Sequence, residues 1–228
     1  MIDFHTHILP EIDDGSRNLD TTVAMLAKSR EQGVDRIIAT PHFYAEQDTV
    51  DRFLSRRDRA MERVCEIHKD MPEIILGAEV AWFDGISKAR QIHSMTIRDT
   101  GILLVELPFC TWDSRMLEEL KEMTEQYQIV LAHLERYMNI PGNKKMIEDI
   151  LALPLYVQVN AESLLDWKKR RKVLKMIKKG QVHLLGSDCH GMHRRPPNLL
   201  EGRQVIEKKL GAEYLRKIDE CGTKLLQG

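Results

Sequence analysis

Short apolar runs bounded by turn or helix signals recur along the chain, a pattern typical of buried parallel strands. They predict seven strands, at residues 2–4, 36–39, 74–78, 102–105, 129–132, 155–159 and 182–186. Between the runs, apolar residues take helical spacing, as after the fourth strand at Met116, Leu120, Met123 and Tyr127. The pattern therefore predicts strict alternation of strand and helix.

Strict alternation predicts right-handed βαβ units and a parallel sheet. Because seven units suit a closed or nearly closed barrel better than an open sheet, the predicted fold is a distorted (β/α)7 barrel similar to a TIM barrel. Of the 228 residues, 43% are hydrophobic and 30% charged, and no linker rich in Pro, Gly or Ser divides them. We therefore expect one domain over residues 1–228.

The charge balance argues against binding to polyanions. The 34 basic and 35 acidic residues leave a formal charge of −1, so no overall field favours nucleic acid. No apolar run approaches the roughly 20 residues of a membrane helix, and the N-terminus lacks the regions of a signal peptide. We expect a cytoplasmic protein without membrane insertion. Its four cysteines form no C-x-x-C pair and predict neither a zinc ribbon nor a disulfide framework.

Residues that can bind a metal follow six of the seven predicted strands. They are His5, His7, His42, Glu79, Glu106, His133, Asp188 and His190. In a parallel barrel the carboxyl ends of all strands meet at one mouth, where such barrels carry their chemistry. One histidine there would more simply be a surface or core residue, but eight nitrogen and oxygen ligands at corresponding positions predict a metal centre. The sixth strand is the exception, since it ends on Asn160.

The first and last strands end on similar motifs, His5-Thr6-His7 and Asp188-Cys189-His190. Alternation along an extended backbone sends the outer two residues of each motif to one face and the middle residue to the other. In a closed barrel these two strands are neighbours. The four outer side chains are therefore predicted to meet, with Cys189 excluded as a ligand.

Carboxylates follow the apolar strands at Glu79 and Glu106, where burial would be costly unless each were paired or bound to a metal. The alternative for each is a salt bridge to a Lys or Arg, or exposure in a loop. Either carboxylate of Asp13-Asp14-Gly15, in the loop after the first strand, could supply a further ligand. Asp-Gly is, however, also an ordinary turn signal.

Together these residues resemble the polymerase and histidinol phosphatase (PHP) superfamily, and within it the CpsB/YwqE group of bacterial manganese-dependent protein-tyrosine phosphatases. The resemblance covers almost the whole chain and is less clear over residues 218–228. The matching motifs are His5-Thr6-His7, Asp13-Asp14-Gly15, Thr40-Pro41-His42, Gly77-Ala78-Glu79, Glu106-Leu107-Pro108, Ala132-His133-Leu134-Glu135-Arg136, Ser187-Asp188-Cys189-His190 and Arg195-Pro196-Pro197. The resemblance implies the PHP fold, a distorted seven-stranded barrel that carries three divalent ions.

The resemblance also implies a ligand set for each ion. For the first ion the set is His5, His7, Glu79 and Asp188. For the second, bridged by the same glutamate, it is Glu79, Glu106 and His133. For the third it is His42, His190 and either Asp13 or Asp14. Imidazole and carboxylate ligands suit Mn, Fe or Zn, and the preference for manganese comes from the resemblance.

Such a centre would hydrolyse a phosphate monoester with water activated between two ions. Three divalent ions, four carboxylates and a hydroxide leave a net charge of about +1, which is low for binding a dianionic phosphate. Arg136 and Arg195 would raise the total to about +3, and each can bind two phosphate oxygens. Both match the phosphate-binding arginines of the tyrosine-phosphatase group. The alternative for Arg136 is a surface arginine paired with Glu135.

Four functions are compared. The leading one is a protein-tyrosine phosphatase whose partner, as the family context implies, is an autophosphorylating bacterial tyrosine kinase that regulates capsule or exopolysaccharide assembly. The second is a phosphatase for a small ester such as histidinol phosphate. A deaminase or amidohydrolase also opens with H-x-H, but it usually needs a lysine where this chain has Glu106. The fourth is a metal-binding regulatory module without catalysis, against which the complete ligand set argues.

Several other residues complete the prediction. The aromatic residues Trp82, Phe83, Phe109 and Trp112 follow the two glutamates and could stack on a phenyl ring or pack at the barrel rim. The histidines expected to be structural are His68, His93 and His183. The basic stretch at 168–172 is expected to form the exposed face of a helix.

Overall fold

The computed structural model describes residues 1–66, 71–98 and 100–227. Within them the strands are β1 Ile2–Thr6, β2 Arg36–Ala39, β3 His42–Phe43, β4 Glu73–Leu76, β5 Glu79–Ala81, β6 Ile102–Glu106, β7 Gln128–Leu131, β8 Tyr156–Asn160 and β9 Leu184–Gly186. The helices are α1 Leu19–Glu31, α2 Val50–Cys65, α3 Ser114–Thr124, α4 Asn143–Ile150, α5 Glu162–Leu165, α6 Trp167–Lys178, α7 Leu199–Leu210 and α8 Ala212–Gln227. Short 3₁₀ helices span Ile86–Lys88, Arg90–Met95 and Leu134–Arg136. His68 lies outside the described residues.

The strands pair in parallel, in the orders β1-β2-β4 and β3-β5-β6-β7-β8-β9. Because β3 follows β2 and β5 follows β4 after two-residue breaks, the nine strands occupy seven positions. The ring closes where Asp188 N donates to His5 O at 2.8 Å and His7 N donates to Cys189 O at 3.0 Å. The predicted distorted seven-stranded barrel is confirmed, although β3 and β5 were not predicted as separate strands.

The helices begin where the sequence supplies a capping side chain. Asn18 Oδ1 accepts a hydrogen bond from Thr21 N at 2.9 Å before α1, and Asp113 Oδ1 accepts one from Met116 N at 2.9 Å before α3. These oxygens satisfy amide groups that the first helical turn leaves free. The helix predicted after the fourth strand is confirmed as α3.

Two apolar clusters lie on opposite faces of the curled sheet. The outer cluster joins alternate strand residues, such as Leu103 and Val105 of β6, to helix residues such as Leu120 of α3. The inner cluster gathers residues that project from strands around the ring, namely Phe4, Ile38, Ile75, Ile102, Leu104, Val130 and Leu184. Alternation along the strands therefore separates a helix-facing layer from the barrel interior.

The C-terminal helix α8 contributes to the interior cluster. Leu225 and Leu226 pack with residues from the amino-terminal parts of the strands, among them Ile102 and Leu184. A Cβ atom on Gly222 would lie only 2.5 Å from Cε2 of Phe4, so the glycine allows the helix to approach β1 closely. We infer that α8 covers the mouth of the barrel opposite the carboxyl ends of the strands.

The basic stretch at 168–172 lies on a helix, as the sequence predicted. Residues 168–172 lie in the first turns of α6, where Lys168, Arg171 and Lys172 are exposed, as expected. Among the described residues, no helix has the length and apolar character required to cross a bilayer.

Candidate metal centre

The inner faces of the strands change from apolar residues to metal-ligand types toward the carboxyl ends. On β6, Ile102 and Leu104 belong to the interior cluster, and Glu106 follows on the same face. The same alternation runs from Ile75 through Gly77 to Glu79. Because every second residue of a strand faces inward, the row of inward-facing residues on each of these strands ends at a candidate ligand. His42 and Glu79, predicted to follow the second and third strands, instead begin the short strands β3 and β5.

Two histidine positions depart from simple alternation. Phe4 already faces the interior, but the β1–β2 register shifts between Asp3 and Thr6, and His5 is brought to the same interior. On β7, Val130 faces inward, and His133 takes a left-handed conformation with φ 34° and ψ 53°. These local irregularities place both imidazoles in the centre.

Glu79 is the hub of the cluster and is fully buried. Its Oε2 lies 3.0 Å from His5 Nε2, 3.2 Å from His7 Nε2 and 3.0 Å from His42 Nδ1. Its Oε1 lies 2.9 Å from His133 Nε2. One carboxylate therefore reaches four imidazoles from three different strand positions.

Glu106 and Asp188 extend the cluster on either side of Glu79. Glu106 Oε1 lies 3.3 Å from His133 Nε2, and its Oε2 lies 4.0 Å from His42 Nδ1. Asp188 Oδ1 lies 3.3 Å from His7 Nε2 on the other side. The carboxyl ends of β6 and β9 thus both deliver a carboxylate to the same centre.

The two aspartates of the first loop occupy different positions. Asp13 Oδ2 accepts hydrogen bonds from His7 Nδ1 at 2.7 Å and from His42 N at 2.9 Å, so it contacts the far side of an imidazole. Asp14 Oδ1 instead approaches His190 Nε2 at 3.3 Å and His42 Nε2 at 3.7 Å. The geometry therefore puts Asp14 among the converging ligand atoms and Asp13 behind them.

The converging atoms fall into three overlapping groups whose potential ligand atoms lie within 4.8 Å of one another. The groups are His5, His7 and Glu79; His42, Glu79 and Glu106; and His7, Asp14, His42 and His190. Each combines imidazole with carboxylate, the donor set expected for Mn, Fe or Zn. All ten side chains predicted as ligands thus lie at this one mouth of the barrel, including Asp13, which lies behind His7.

Unpaired buried atoms test whether this arrangement fits a metal. Among the described residues, His42 Nδ1, Glu79 Oε2 and His190 Nε2 are buried, and their short N···O separations lack the geometry of a hydrogen bond. His5 Nε2 and His7 Nε2 also face each other at 3.0 Å, where only one of them can donate. Buried polar atoms are normally satisfied. A cation bound between these side chains would therefore satisfy them better than hydrogen bonds from one side chain to another.

Two arginines enter the centre on the side of Asp188. Arg136 Nη2 donates to Asp188 Oδ2, and Arg195 Nη1 lies 3.4 Å from the same oxygen. Arg195 Nη2 also lies 3.2 Å from Asp14 Oδ2. Both arginines predicted as phosphate ligands therefore border the ligand cluster, and the alternative of a surface Arg136 paired with Glu135 does not describe its position.

The carboxylates of the centre are held in their charged form. Burial opposes charge on Glu79, but His5, His133 and His42 hold the pKa of its carboxyl well below the usual range. Burial also opposes charge on Asp188, whose pKa is nevertheless lowered well below its usual range, chiefly by the histidines His5 and His7. Both carboxylates are thus ready to bind a cation without first losing a proton.

The pKa values of three histidines are shifted in different directions. Burial lowers the pKa of His7, but Asp13 more than compensates and raises it well above the usual range. The pKa of His133 is likewise raised to about 9, against the effect of burial, by Glu106 and Glu79. Burial and the charge on His7 lower the pKa of His190 to about 3. Cation binding would therefore displace protons from two of these rings.

A layer of amides behind the ligands was missed by the sequence analysis. Gln158 Oε1 accepts from His133 N at 2.8 Å and lies 3.2 Å from His5 Nδ1, and Gln158 Nε2 donates to Asn160 Oδ1 at 2.9 Å. Asn160 Nδ2 donates in turn to Asp188 Oδ2 at 2.8 Å. The signal was present, because two amide residues sit at alternate positions of an otherwise apolar strand, β8.

The aromatic residues around the centre separate into two sets. Phe109 is 57% exposed and stacks on His133 with ring centroids 6.0 Å apart. Trp82, Phe83 and Trp112 line a separate groove bordered by no predicted ligand. Tyr44, which the sequence analysis did not single out, is 37% exposed, and its ring lies tilted against that of His42 with centroids 5.2 Å apart.

His93 and His183, two of the histidines expected to be structural, have structural contacts. Val157 N donates to His183 Nδ1 at 3.0 Å, between β8 and the residues before β9. His93 lies in a 3₁₀ helix, with its ring 6.0 Å from that of Tyr127.

Comparison with known families and proteins identifies the chain's relatives. The family model described as capsular polysaccharide synthesis, CpsB/CapC, matches residues 1–226. The chain belongs to the CpsB/CapC family. Tyrosine-protein phosphatase CpsB of Streptococcus pneumoniae is 28% identical to this CpsB/CapC member over 236 residues, covering 96% of this chain and 94% of that protein. Tyrosine-protein phosphatase YwqE of Bacillus subtilis (strain 168) is 28% identical over 240 residues, covering 100% and 92%.

Solved structures agree with this assignment to the CpsB/CapC family. The match to the crystal structures of YwqE from Bacillus subtilis and CpsB from Streptococcus pneumoniae, described as unique metal-dependent tyrosine phosphatases, has a TM-score of 0.87 at 25% identity and covers 100% of this chain and 94% of that one. Histidinol phosphate phosphatase from Lactococcus lactis, solved with zinc, L-histidinol and phosphate, matches with a TM-score of 0.60 at 14% identity, over 91% and 92% of the chains. The second likeness shows the fold alone. The resemblance stated from the sequence is confirmed.

Proposed function

We propose that this protein is a metal-dependent protein-tyrosine phosphatase that acts in the regulation of capsule synthesis. The observation that carries the proposal is the convergence of buried, unpaired imidazole and carboxylate atoms on Glu79, bordered by two arginines. The family match and the tyrosine-phosphatase relatives support the same activity. Since the match covers residues 1–226, we propose that they act as a single phosphatase domain.

We propose three divalent ions, most suitably manganese, held by ligand sets that overlap the three groups and add His133 and Asp188. His5, His7, Glu79 and Asp188 would hold the first, and Glu79, Glu106 and His133 the second. His42, His190 and Asp14 would hold the third. We choose Asp14 over Asp13 because its Oδ1 lies 3.3 Å from His190 Nε2, whereas Asp13 is already hydrogen-bonded to His7 Nδ1.

Bound divalent ions would supply Lewis-acid activation of water and of the phosphoryl group. The chain's own contribution is to orient the ester. Arg136 and Arg195 both contact Asp188 Oδ2. Each guanidinium could turn toward the phosphate and bind two of its oxygens. The phenolate of a tyrosine ester, with a reference pKa of ~10, leaves far more readily than an alkoxide, so proton donation matters less than for a serine ester.

The physiological partner we propose is a phosphotyrosine protein, an autophosphorylating bacterial tyrosine kinase. Support comes from the relatives named tyrosine-protein phosphatase and from the capsular polysaccharide description of the family. The cytoplasmic location expected from the sequence stays a prediction.

The proposal is tested with metal-stripped protein reloaded with Mn²⁺. We expect phosphate release from phosphotyrosine peptides that a chelator abolishes and added Mn²⁺ restores. Turnover of histidinol phosphate with none of phosphotyrosine would identify a small-molecule phosphatase instead. Metal binding without turnover of any phosphate ester would identify a regulatory module.

A ligand variant and a matched control sharpen this test. Glu79→Gln should lower both bound metal and turnover, since Glu79 reaches four of the imidazoles. Glu213→Gln, the same change at an exposed position in the first turn of α8, should alter neither. Full turnover in the Glu79 variant would contradict the proposed centre.

A further inference from the structure

A cavity of about 310 Å³ opens beside the centre. Asp14 and His42 form its inner wall, and Ile12, Tyr44 and Gln47 are among the residues of its other walls. Its volume lies at the lower end of the range for small-molecule pockets. Because two of its walls are residues of the centre, a group bound in the cavity would be next to the reacting atoms.

Tyr44 gives this cavity an aromatic face. Among the described residues, four large hydrophobic side chains are exposed, and they are Tyr44, Phe109, Leu165 and Trp167. Of these four, only Tyr44 lines the cavity. Its ring lies 5.2 Å from the ring of His42 at an interplanar angle of 31°, so it stands directly beside a ligand. An exposed aromatic ring held in this position is available for offset stacking on another ring.

The outer wall of the cavity is held in place by hydrogen bonds. Arg56 Nη1 donates to Asp48 Oδ2 at 3.0 Å, and Arg56 Nη2 donates to the carbonyl oxygen of Ile12. The arginine charge is therefore already paired and does not require an anionic ligand in the cavity. Since these bonds connect α2 to the loop after β1, the cavity is formed before a ligand arrives.

Asp14 connects the cavity to Arg195, the arginine that we assign to phosphate. Arg195 Nη2 lies 3.2 Å from Asp14 Oδ2, and Asp14 also lines the cavity. If Arg195 and the centre hold a phosphoryl group, its ester oxygen would therefore lie close to the cavity. A phenyl ring attached to that oxygen could enter the cavity, whereas the single methylene of a serine ester would leave most of the cavity unfilled.

We propose that this cavity is the subsite for the aryl group of the ester, and that Tyr44 determines the preference for aryl over alkyl phosphates. The inference deepens the proposed phosphatase function and rests on it. The preference arises because a phenyl ring covers the exposed face of Tyr44 and the side chain of Ile12, while a methyl or seryl group does not.

Binding of two phosphonates to the Mn²⁺-loaded protein tests the subsite without turnover. Phenylphosphonate and methylphosphonate carry the same phosphorus group and differ in the ring. We expect calorimetry to give a Kd at least about tenfold lower for phenylphosphonate, from the size of the apolar contact. Tyr44→Ala should remove most of the difference between the two Kd values, and Tyr44→Phe should retain most of it.

Two further aromatic variants locate the effect. Trp167→Ala removes a 75% exposed ring outside the cavity and should leave the Kd ratio unchanged. Phe109→Ala removes the ring stacked on His133, which is also outside the cavity, and should leave most of the ratio. Loss of the ratio in Phe109→Ala with its retention in Tyr44→Ala would overturn the proposal, because the ring would then bind on the other side of the centre.

Turnover separates failure of the subsite from failure of the function. We expect the ratio of kcat/KM for phosphotyrosine over phosphoserine peptides to fall at least about tenfold in Tyr44→Ala, mainly through KM. Hydrolysis with an unchanged ratio in that variant would overturn the subsite and leave the phosphatase function standing. A wild-type protein that hydrolyses no ester and binds neither phosphonate would overturn both.

Discussion

His7 Nδ1 donates to Asp13 Oδ2 across 2.7 Å, and this bond fixes which side of the ring faces the centre. The opposite nitrogen, Nε2, lies 3.2 Å from Glu79 Oε2 and 3.3 Å from Asp188 Oδ1. A carboxylate that holds the far side of an imidazole is the usual support for a metal-binding histidine. Asp13 and its neighbour Asp14 should therefore respond differently to the same substitution.

We predict that Asp13→Asn weakens metal binding by roughly 10- to 100-fold while saturating Mn²⁺ restores the full number of bound ions. Asp14→Asn should instead remove one ion even at saturation, because it loses a proposed ligand. Metal titration followed by elemental analysis distinguishes the two. The assignment would be reversed if Asp13→Asn were the variant that lost an ion.

Arg136→Ala should lower kcat by about 10²- to 10³-fold, as expected for loss of one charged donor to the reacting group. Bound metal should not change, since the guanidinium contacts Asp188 from outside the imidazole cluster. Arg136→Lys should recover only part of the rate because an ammonium group cannot bind two oxygens in a fixed plane. A loss of metal in Arg136→Ala would show that the arginine supports the ligands instead.

Arg195→Ala should also slow turnover with little loss of metal, and its neighbour provides a control. Arg194 is exposed, and Arg194→Ala changes the charge of the same loop by the same amount. We expect the Arg194 variant to keep nearly the full rate. Equal losses in both variants would mean that the loop acts through its overall charge and not through a directed contact.

Gln158→Leu should destabilise the protein and loosen the centre together. The substitution leaves His133 N without its 2.8 Å acceptor, which costs about 1–3 kcal/mol in the free energy of unfolding for a buried amide. It also removes the partner 3.2 Å from His5 Nδ1, so metal affinity should fall. Denaturant unfolding and metal titration measure the two effects. Wild-type metal affinity in a destabilised variant would show that the amide supports the fold alone.

Gly222→Ala should lower stability without a direct effect on the centre. The added Cβ would lie 2.5 Å from Phe4 Cε2, so α8 and β1 must separate, at a cost of about 1–3 kcal/mol. Lys224→Ala, at an exposed position of the same helix, should change the midpoint of thermal unfolding very little. A fully stable Gly222→Ala variant would contradict the close packing of the C-terminal helix on the barrel.

Much of the barrel could be predicted because hydrophobic alternation is a local signal. All seven strand positions appear, and the inner faces carry apolar residues at the base and ligand types at the mouth. The breaks after β2 and β4 were not predicted, because they depend on neighbouring strands. Ile97 N, for example, donates to Ile102 O and Arg98 N donates to Leu76 O, which fills the space between β4 and β6.

The sequence by itself determined the fold class and the set of residues from which the centre is drawn, because strand periodicity and residue chemistry are properties of the chain. Tertiary structure decided which of those residues lie among the ligand atoms and which support a ligand from behind. Asp13 and Asp14 are adjacent and chemically identical. The loop after β1 places Asp13 beside His7, and closure of the ring brings His190 from the last strand to Asp14. Side-chain roles in such a centre depend on distances between strands, which no local pattern contains.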